Sequence, residues 1–275
     1  MKNFHGAVIL KNEKNFDAIK ASEILKEKIK GKIEIFDTEN APDNSLFFIL
    51  GGDGTVLRYA KKIAQKTPFV VGINFGHLGF LSPYEFSEID RIVKDILTDE
   101  NFTIVKRKFS KARSRFGEIE FLNEFIVQRD IHSHMIDANI KIDNSEVGSI
   151  LCDGILISTP TGSTAYNLSA GGSLIDPQAN VLSIVPMMAH TLFKTPIVVS
   201  SKRKIEIEVN PRDSEKYFTI SDGDVLGDQN KTESFEIESS ENSVNFLCTK
   251  ERNFFKIVNQ KLGWGIRNGS GKRYD

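Results

Sequence analysis

The chain has 275 residues, with 36 Lys plus Arg against 37 Asp plus Glu and a formal net charge of −1. That balance gives no support to general nucleic-acid or anionic-membrane binding. With 40% hydrophobic and 27% charged residues, the composition excludes wholesale disorder and suits one large domain or two modest ones. Two cysteines, Cys152 and Cys248, are too few for a disulfide framework, so a reduced, cytoplasmic setting is expected. The N-terminal apolar run Ala7-Val-Ile-Leu10 is too short for a signal-peptide core. Nor does any run of about 18 apolar residues offer a membrane span.

The first hundred residues alternate between two periods. Gly6 to Leu10 is strand-like, and Asn15 to Lys30 has the spacing of an amphipathic helix with Phe16, Ile19, Ala21, Ile24, Leu25 and Ile29 as its stripe. Lys32 to Phe36 alternates again, and Asp37 to Ser45, with Pro42, reads as a loop. Leu46 to Leu50 and Phe69 to Ile73 are continuous apolar runs of the kind found in strands covered on both faces. Val56, Leu57, Ala60, Ile63 and Ala64 recur at helical spacing between them, and Glu85 to Leu97 predicts a further helix. Strand and helix in alternation predict a parallel α/β sheet of Rossmann-like kind. Beyond about residue 101 the texture changes. Asn139 to Asp143, Lys204 to Val209 and Ser234 to Glu238 alternate apolar and polar residues, as half-buried strands of a β-rich, sandwich-like domain do. The tail Gly269 to Asp275 is small and charged, and is expected to fray.

The sharpest local signal is Gly51-Gly-Asp-Gly-Thr55, set between a buried strand and an amphipathic helix. Glycines there let backbone N–H groups approach a phosphate, and a helix N-terminus favours anions. An aspartate in such a loop repels phosphate, so Asp53 must serve some other purpose. It could accept a proton, hold a divalent metal or cap the helix. The loop is neither a Walker A motif nor Gly-x-Gly-x-x-Gly. Asn123-Glu124, before Phe125-Ile-Val127, pairs an amide with a carboxylate that suit adenine edges and ribose hydroxyls. Asp153 opens an apolar run that passes into Ser158-Thr-Pro-Thr-Gly-Ser-Thr-Ala-Tyr166, a loop dense in hydroxyls and free N–H groups for a polar, phosphate-bearing ligand. Tyr166 offers a flat face for a base. His132 and His134 lack neighbouring acidic or thiol partners at zinc spacing. No serine-hydrolase pattern occurs.

These blocks, with Gly72-Ile-Asn-Phe-Gly-His-Leu-Gly-Phe80, Gly171-Gly172 and the closing Lys261-Leu-Gly-Trp264, resemble the NAD kinase family of bacterial type, and they do so in order over residues 51 to 264. The resemblance implies an α/β domain at 1–100, a β-rich NAD-binding domain at 101–260 and a C-terminal segment, 261–275, that returns to the first. It implies an active site between the domains, transfer of a phosphoryl group from ATP to the adenosine-ribose 2′-hydroxyl of NAD, Mg²⁺ on the phosphates, and a homo-oligomer, commonly a tetramer. Some relatives use polyphosphate as donor. By the resemblance Asp53 is the proton acceptor, Gly51, Gly52, Gly54 and Thr55 shape the phosphate loop, and Asn123, Glu124, Asp153, Thr164, Ala165, Tyr166, Asn167, Leu168 and Ser169 bind NAD. Phe80 and His134 fall at further contact positions. No residue is assigned to a metal. Leu151 stands where relatives often have Arg or Gly, a position tied to the preference between NAD and NADH. Asp224 stands where many have Gln near the nicotinamide end.

Two other readings use the same residues. A kinase of another substrate, such as a lipid, shares the glycine–aspartate loop, but nothing in the chain suggests a membrane-docking face. A non-catalytic NAD-binding module gains from losing a carboxylate beside phosphates, and Asp53 is retained.

Overall fold

Residues 46–50, Leu-Phe-Phe-Ile-Leu, are buried throughout, as a parallel strand covered on both faces must be. In the computed structural model, which describes residues 4–98, 101–191, 194–249 and 252–265, this segment is the second of three parallel strands, β1 (Ala7–Lys11), β2 (Leu46–Leu50) and β3 (Phe69–Asn74). Helix α1 (Phe16–Ile29) joins β1 to β2 and is started by Asn15, whose side chain accepts from the Ala18 N–H at 3.1 Å. Helix α2 (Asp53–Ile63) joins β2 to β3. A short strand β4 (Tyr84–Glu85), parallel to β3, and helix α3 (Ile89–Thr98) follow. Ala18, Ala21, Leu25 and Ile29 of α1 and Ile89, Ile92, Val93 and Ile96 of α3 share one core with Leu46, Phe48 and Leu50 of β2 and Val71 and Ile73 of β3. Phe47 and Ile49 are buried as well. Two details depart from the periodicity. Phe16 and Ile24 are exposed rather than part of the α1 stripe. Lys32 to Phe36 contributes only a bridge between Ile35 and Ala7.

The later strands are β5 (Phe102–Ser114), β6 (Gly117–Phe121), β7 (Glu124–Arg129), β8 (Ile136–Ile142), β9 (Ser145–Cys152) and β10 (Gly154–Ser158). A one-turn helix α4 (Tyr166–Ser169) precedes β11 (Val181–Met187), β12 (Ile197–Ser200), β13 (Ile205–Asn210), β14 (Tyr217–Ser221), β15 (Asp224–Gln229) and β16 (Glu233–Thr249); helix α5 (Phe254–Leu262) follows. The chain folds as two compact units: the chain up to Lys106 with the chain from Asn242 on, and Arg107–Glu241. The sequence places the boundaries after residues 100 and 260, whereas the units divide after Lys106 and after Glu241. In the first unit the end of β16 runs parallel to β3, with Asn245 opposite Phe69. In the second unit the start of β16 pairs antiparallel with β13, then β8 and β9. A second antiparallel sheet there runs β12-β11-β10-β7-β14-β15. Alternate residues of both sheets, among them Phe125, Val127, Ile155 and Ile157 from one and Ala138, Ile140, Ile205 and Ile207 from the other, form a shared core. The architecture is therefore an α/β unit with a parallel sheet and a β-rich, sandwich-like unit. Cys152 and Cys248 are both free thiols, and burial pushes Cys152 up to about 12. No helix among the described residues is long and apolar enough to cross a membrane. The tail from Gly269 lies outside the described residues.

Candidate active site

At the end of β2 the Gly51 N–H donates to the Ile73 carbonyl of β3 at 2.8 Å. Gly51 has φ of +154°, and a Cβ there would meet Thr55 Oγ1 at 2.7 Å, so only glycine makes this strand-to-helix turn without strain. Gly52 takes the N-cap position of α2 and Asp53 the first helical position. A capping aspartate accepts amides of its own helix. Asp53 instead receives the loop that follows β3. Its Oδ2 accepts from the Phe80 N–H at 2.8 Å, and its Oδ1 accepts from the Leu81 N–H at 2.9 Å, the Ser82 N–H at 3.0 Å and the Ser82 hydroxyl at 2.8 Å. The carboxylate also sits in the first turn of a helix, where the dipole favours negative charge.

Gly79 makes the approach possible, because a Cβ there would lie 2.0 Å from Asp53 Oδ1. The loop is tied from below by the buried Asn74, whose Nδ2 donates to the Ser82 carbonyl at 2.8 Å and the Tyr84 carbonyl at 2.9 Å. The Phe80 ring lies 6.1 Å from that of Phe254 on α5, and Lys261 Nζ stands 5.1 Å from its centroid.

The second unit carries the other cluster. Asp222, held at φ of +51°, accepts the backbone N–H groups of Leu122 at 2.9 Å, Asn123 at 2.7 Å and Glu124 at 3.2 Å, and returns its own N–H to the Glu124 carbonyl at 3.0 Å. These bonds fix the start of β7. Glu124 is 6% exposed, and its Oε2 has no hydrogen-bond partner among the described residues. Burial first, and the Asp222 charge second, push its carboxyl up to about 7. Opposite Glu124 across the β7–β10 ladder is Ser158, which starts the hydroxyl-rich loop. Thr159 donates its N–H to the Asn123 carbonyl at 2.9 Å and its hydroxyl to the Leu122 carbonyl. Gly162 packs on the same backbone, where a Cβ would meet the Asn123 oxygen at 2.2 Å.

Much of that loop is tied to itself. Ser163 Oγ donates to the Pro160 carbonyl at 2.8 Å and accepts from the Ile175 N–H at 3.1 Å. Asn167 is fully buried, its Nδ2 donating to the Ser163 and Ser173 carbonyls, while its Oδ1 has no partner among the described residues. Tyr166, 41% exposed, and Ser169 stay at the surface, with Thr164, Ala165 and Leu168 part-buried. Asp153 lies one strand away, its Oδ1 2.6 Å from Arg129 Nε, and Arg129 also donates to the carbonyls of Asp130, Ile131 and Ser133. His134 is exposed and bonds Glu215 through both its N–H and its ring, and these bonds hold the Glu215 carboxyl below the usual range. Among the described residues no group of three or more His, Cys, Asp or Glu gathers where a metal could be held.

Residues 8–101 match the ATP-NAD kinase N-terminal domain, and residues 122–249 match the ATP-NAD kinase C-terminal domain. The chain is 37% identical over 253 residues to the NAD kinase of Thermotoga maritima, covering 90% of this chain and 95% of that one. This chain belongs to the ATP-NAD kinase family. Its fold is similar to that of an NAD kinase from Archaeoglobus fulgidus in complex with ATP, with a TM-score of 0.72 and 27% identity over 92% of this chain and 98% of that one. It is also similar in fold to yeast NADH kinase complexed with NADH, with a TM-score of 0.83 and 21% identity over 98% and 90% of the two chains.

Within this member of the family the expected residues fall into two groups. Gly51, Gly52, Asp53, Gly54, Thr55 and Phe80 gather in the first unit. Asn123, Glu124 and the Thr164–Ser169 stretch gather in the second, where Ser158 and Thr159 bond the Asn123–Glu124 backbone. Leu151 lies on β9 opposite Asp137, and Asp224 is exposed at the start of β15. Asn74 and Gly79 lie within the Gly72–Phe80 block, but the sequence does not reveal that they and Ser82 hold Asp53 and its loop, nor that Asp222 and Arg129 hold Asn123–Glu124 and Asp153. Ser82 follows Phe80 within two residues, and Asp222 precedes Asp224 by two, so both lie beside positions already singled out. Nothing in the local sequence gives a reason for their side chains to turn back onto the chain.

Proposed function

We propose that this chain is an NAD kinase that transfers the terminal phosphoryl group of ATP to the 2′-hydroxyl of the adenosine ribose of NAD, giving NADP. The observation that carries the reading is the Asp53 carboxylate, anchored by the 80–82 amides immediately after a glycine turn at the N-terminus of α2. A ribose hydroxyl is a weak nucleophile, and an oriented carboxylate within hydrogen-bond reach takes its proton as the oxygen attacks. The bond from that oxygen to the γ-phosphorus forms, the bond from phosphorus to the β,γ-bridging oxygen breaks, and ADP leaves. The remainder of catalysis is positioning and charge neutralisation. Gly51, Gly52, Gly54 and Thr55 shape the phosphate loop. Asn123 and Glu124 receive the ribose and adenine, and Tyr166 stacks on a ring. Asn167, being buried, acts by holding the Thr164–Ser169 turn. Glu124 fits a ligand role because one buried oxygen lacks a partner among the described residues, which a ribose hydroxyl would supply.

The donor enters as its Mg²⁺ complex. Among the described residues no group of three or more His, Cys, Asp or Glu gathers to cradle the ion. In this reading the phosphates would carry the ion, and no step is assigned to it. A cytoplasmic homo-tetramer belongs to the same reading. For association alone, the support is the exposed apolar residues Ile197 and Val198 on edge strand β12 and Val225 and Leu226 on edge strand β15. The mass of the protein in solution checks it against the 30.9 kDa chain.

Asp53→Asn tests the assignment. It keeps the shape and removes the proton acceptor, so turnover is expected to fall by roughly 10²- to 10⁴-fold while NAD affinity by calorimetry stays within a few-fold. Unchanged turnover removes Asp53 from the chemistry.

A further inference from the structure

We propose that Ser82 is a positioning residue for Asp53, fixing Oδ1 as an anchored oxygen and leaving Oδ2 as the oxygen that takes the proton. The inference rests on Asp53 being the proton acceptor. A carboxylate offers about four acceptor sites, two on each oxygen. Here they are used unequally. Oδ1 takes three donors, two of them from Ser82 itself, its N–H at 3.0 Å and its hydroxyl at 2.8 Å. Among the described residues Oδ2 takes only the Phe80 N–H at 2.8 Å, and it keeps acceptor capacity for a substrate hydroxyl.

The terminal torsion of an aspartate is broad and roughly two-fold, so an unanchored carboxylate exchanges its oxygens and swings its lone pairs. Three donors crowded on one oxygen hold that torsion. The Ser82 hydroxyl is the part of this lock that a side-chain change removes. It is the only side-chain donor among the four, since the others are backbone N–H groups. Ser82 is wholly buried, and its own carbonyl is held by Asn74 Nδ2 at 2.8 Å, so the residue is a fixed post rather than a mobile surface group. Gly79 supplies the space, since a Cβ there would stand 2.2 Å from the Ser82 hydroxyl as well as against Oδ1. A misplacement of this kind acts on the chemical step and leaves the binding of NAD, which the reading above gives to other residues, as it was.

The experiment is steady-state kinetics on the full chain with Ser82→Ala, Ser82→Thr, Asp53→Asn and the double variant, each first checked for a wild-type-like melting temperature. Ser82→Ala is expected to lower kcat by about 10- to 100-fold, as loss of a hydrogen bond to a charged group does, with KM for NAD within about two-fold. Ser82→Thr, which restores the hydroxyl, should recover most of the loss. On the Asp53→Asn background Ser82→Ala should cost nothing further, because it acts through Asp53. If Ser82→Ala does not fold, Ser82→Cys, with a similar volume and only a weak S–H donor, is read in its place. Wild-type kcat in the folded variant overturns the proposal, as does a full additional loss on the Asp53→Asn background or a loss that Ser82→Thr fails to recover. Wild-type turnover in Asp53→Asn itself overturns instead the reading on which the proposal rests.

Discussion

At Glu124 the role proposed for the carboxyl is set against its cost to stability. Its carboxyl is buried, with one oxygen unpaired among the described residues, and burial pushes it up to about 7 from the 4.5 of an exposed glutamate. The folded state therefore binds this proton more tightly than the unfolded state. The stability that goes with it is complete below about pH 4.5 and is lost as pH rises through about 7. The size is on the order of 3 kcal/mol at pH 8. Glu124→Gln removes the titration while keeping the shape. Urea midpoints of the ligand-free protein should rise at pH 8 and lose much of their decline between pH 5 and 8. An unchanged pH slope would show that the carboxyl is not the source. Asn123-Glu124 is legible in the sequence as a pair suited to ribose and adenine, but its burial is not, because Asp222 reaches the pair from far along the chain.

At the scale of elements, the glycine loop separates two uses of one residue type. Gly51 and Gly79 are glycine for the sake of the chain, since a side chain at either meets Thr55 or Asp53. Gly54 is different. It lies inside α2, and a Cβ there meets nothing within 4 Å. Alanine in a helix is favoured over glycine by roughly 0.5–1 kcal/mol. Gly54→Ala should therefore raise the melting temperature slightly and still lower turnover, because in the proposed reaction the space it fills belongs to the donor's phosphates. Turnover at the wild-type level would mean that no phosphate approaches there. The strand–glycine–helix order of β2, the loop and α2 is legible from apolar runs and helical spacing. The destination of the Asp53 carboxylate is not. A cap and an anchored acceptor have the same local sequence, and only the return of residues 79–82 tells them apart. Similarly, the Ser/Thr-rich loop suggests a wealth of hydroxyls for a ligand, yet Thr159 and Ser163 are spent on building the loop, and Tyr166 and Ser169 are the side chains left at the surface.

For the whole molecule, the change from alternating strand and helix to period-two strands marks the two kinds of architecture, because a buried parallel sheet and a half-exposed antiparallel one leave different patterns. The ends of the units are less legible. β5 and β16 stay in strand conformation across Lys106 and Asn242, where the chain passes from one unit to the other, and hydrophobic alternation does not change there. Asp53 belongs to one unit and Asn123, Glu124 and Tyr166 to the other, so the proposed reaction requires both sets of residues. The direct test is to incubate the purified full chain with Mg²⁺, ATP and NAD and to read NADP with an NADP-specific dehydrogenase, with NADH and polyphosphate in parallel. NADP formed from NAD at the expense of ATP is the predicted result, and the parallel reactions report the acceptor preference at the Leu151 position and the donor range. Binding of NAD without NADP from any donor would contradict the proposed reaction and leave a dinucleotide-binding module in its place.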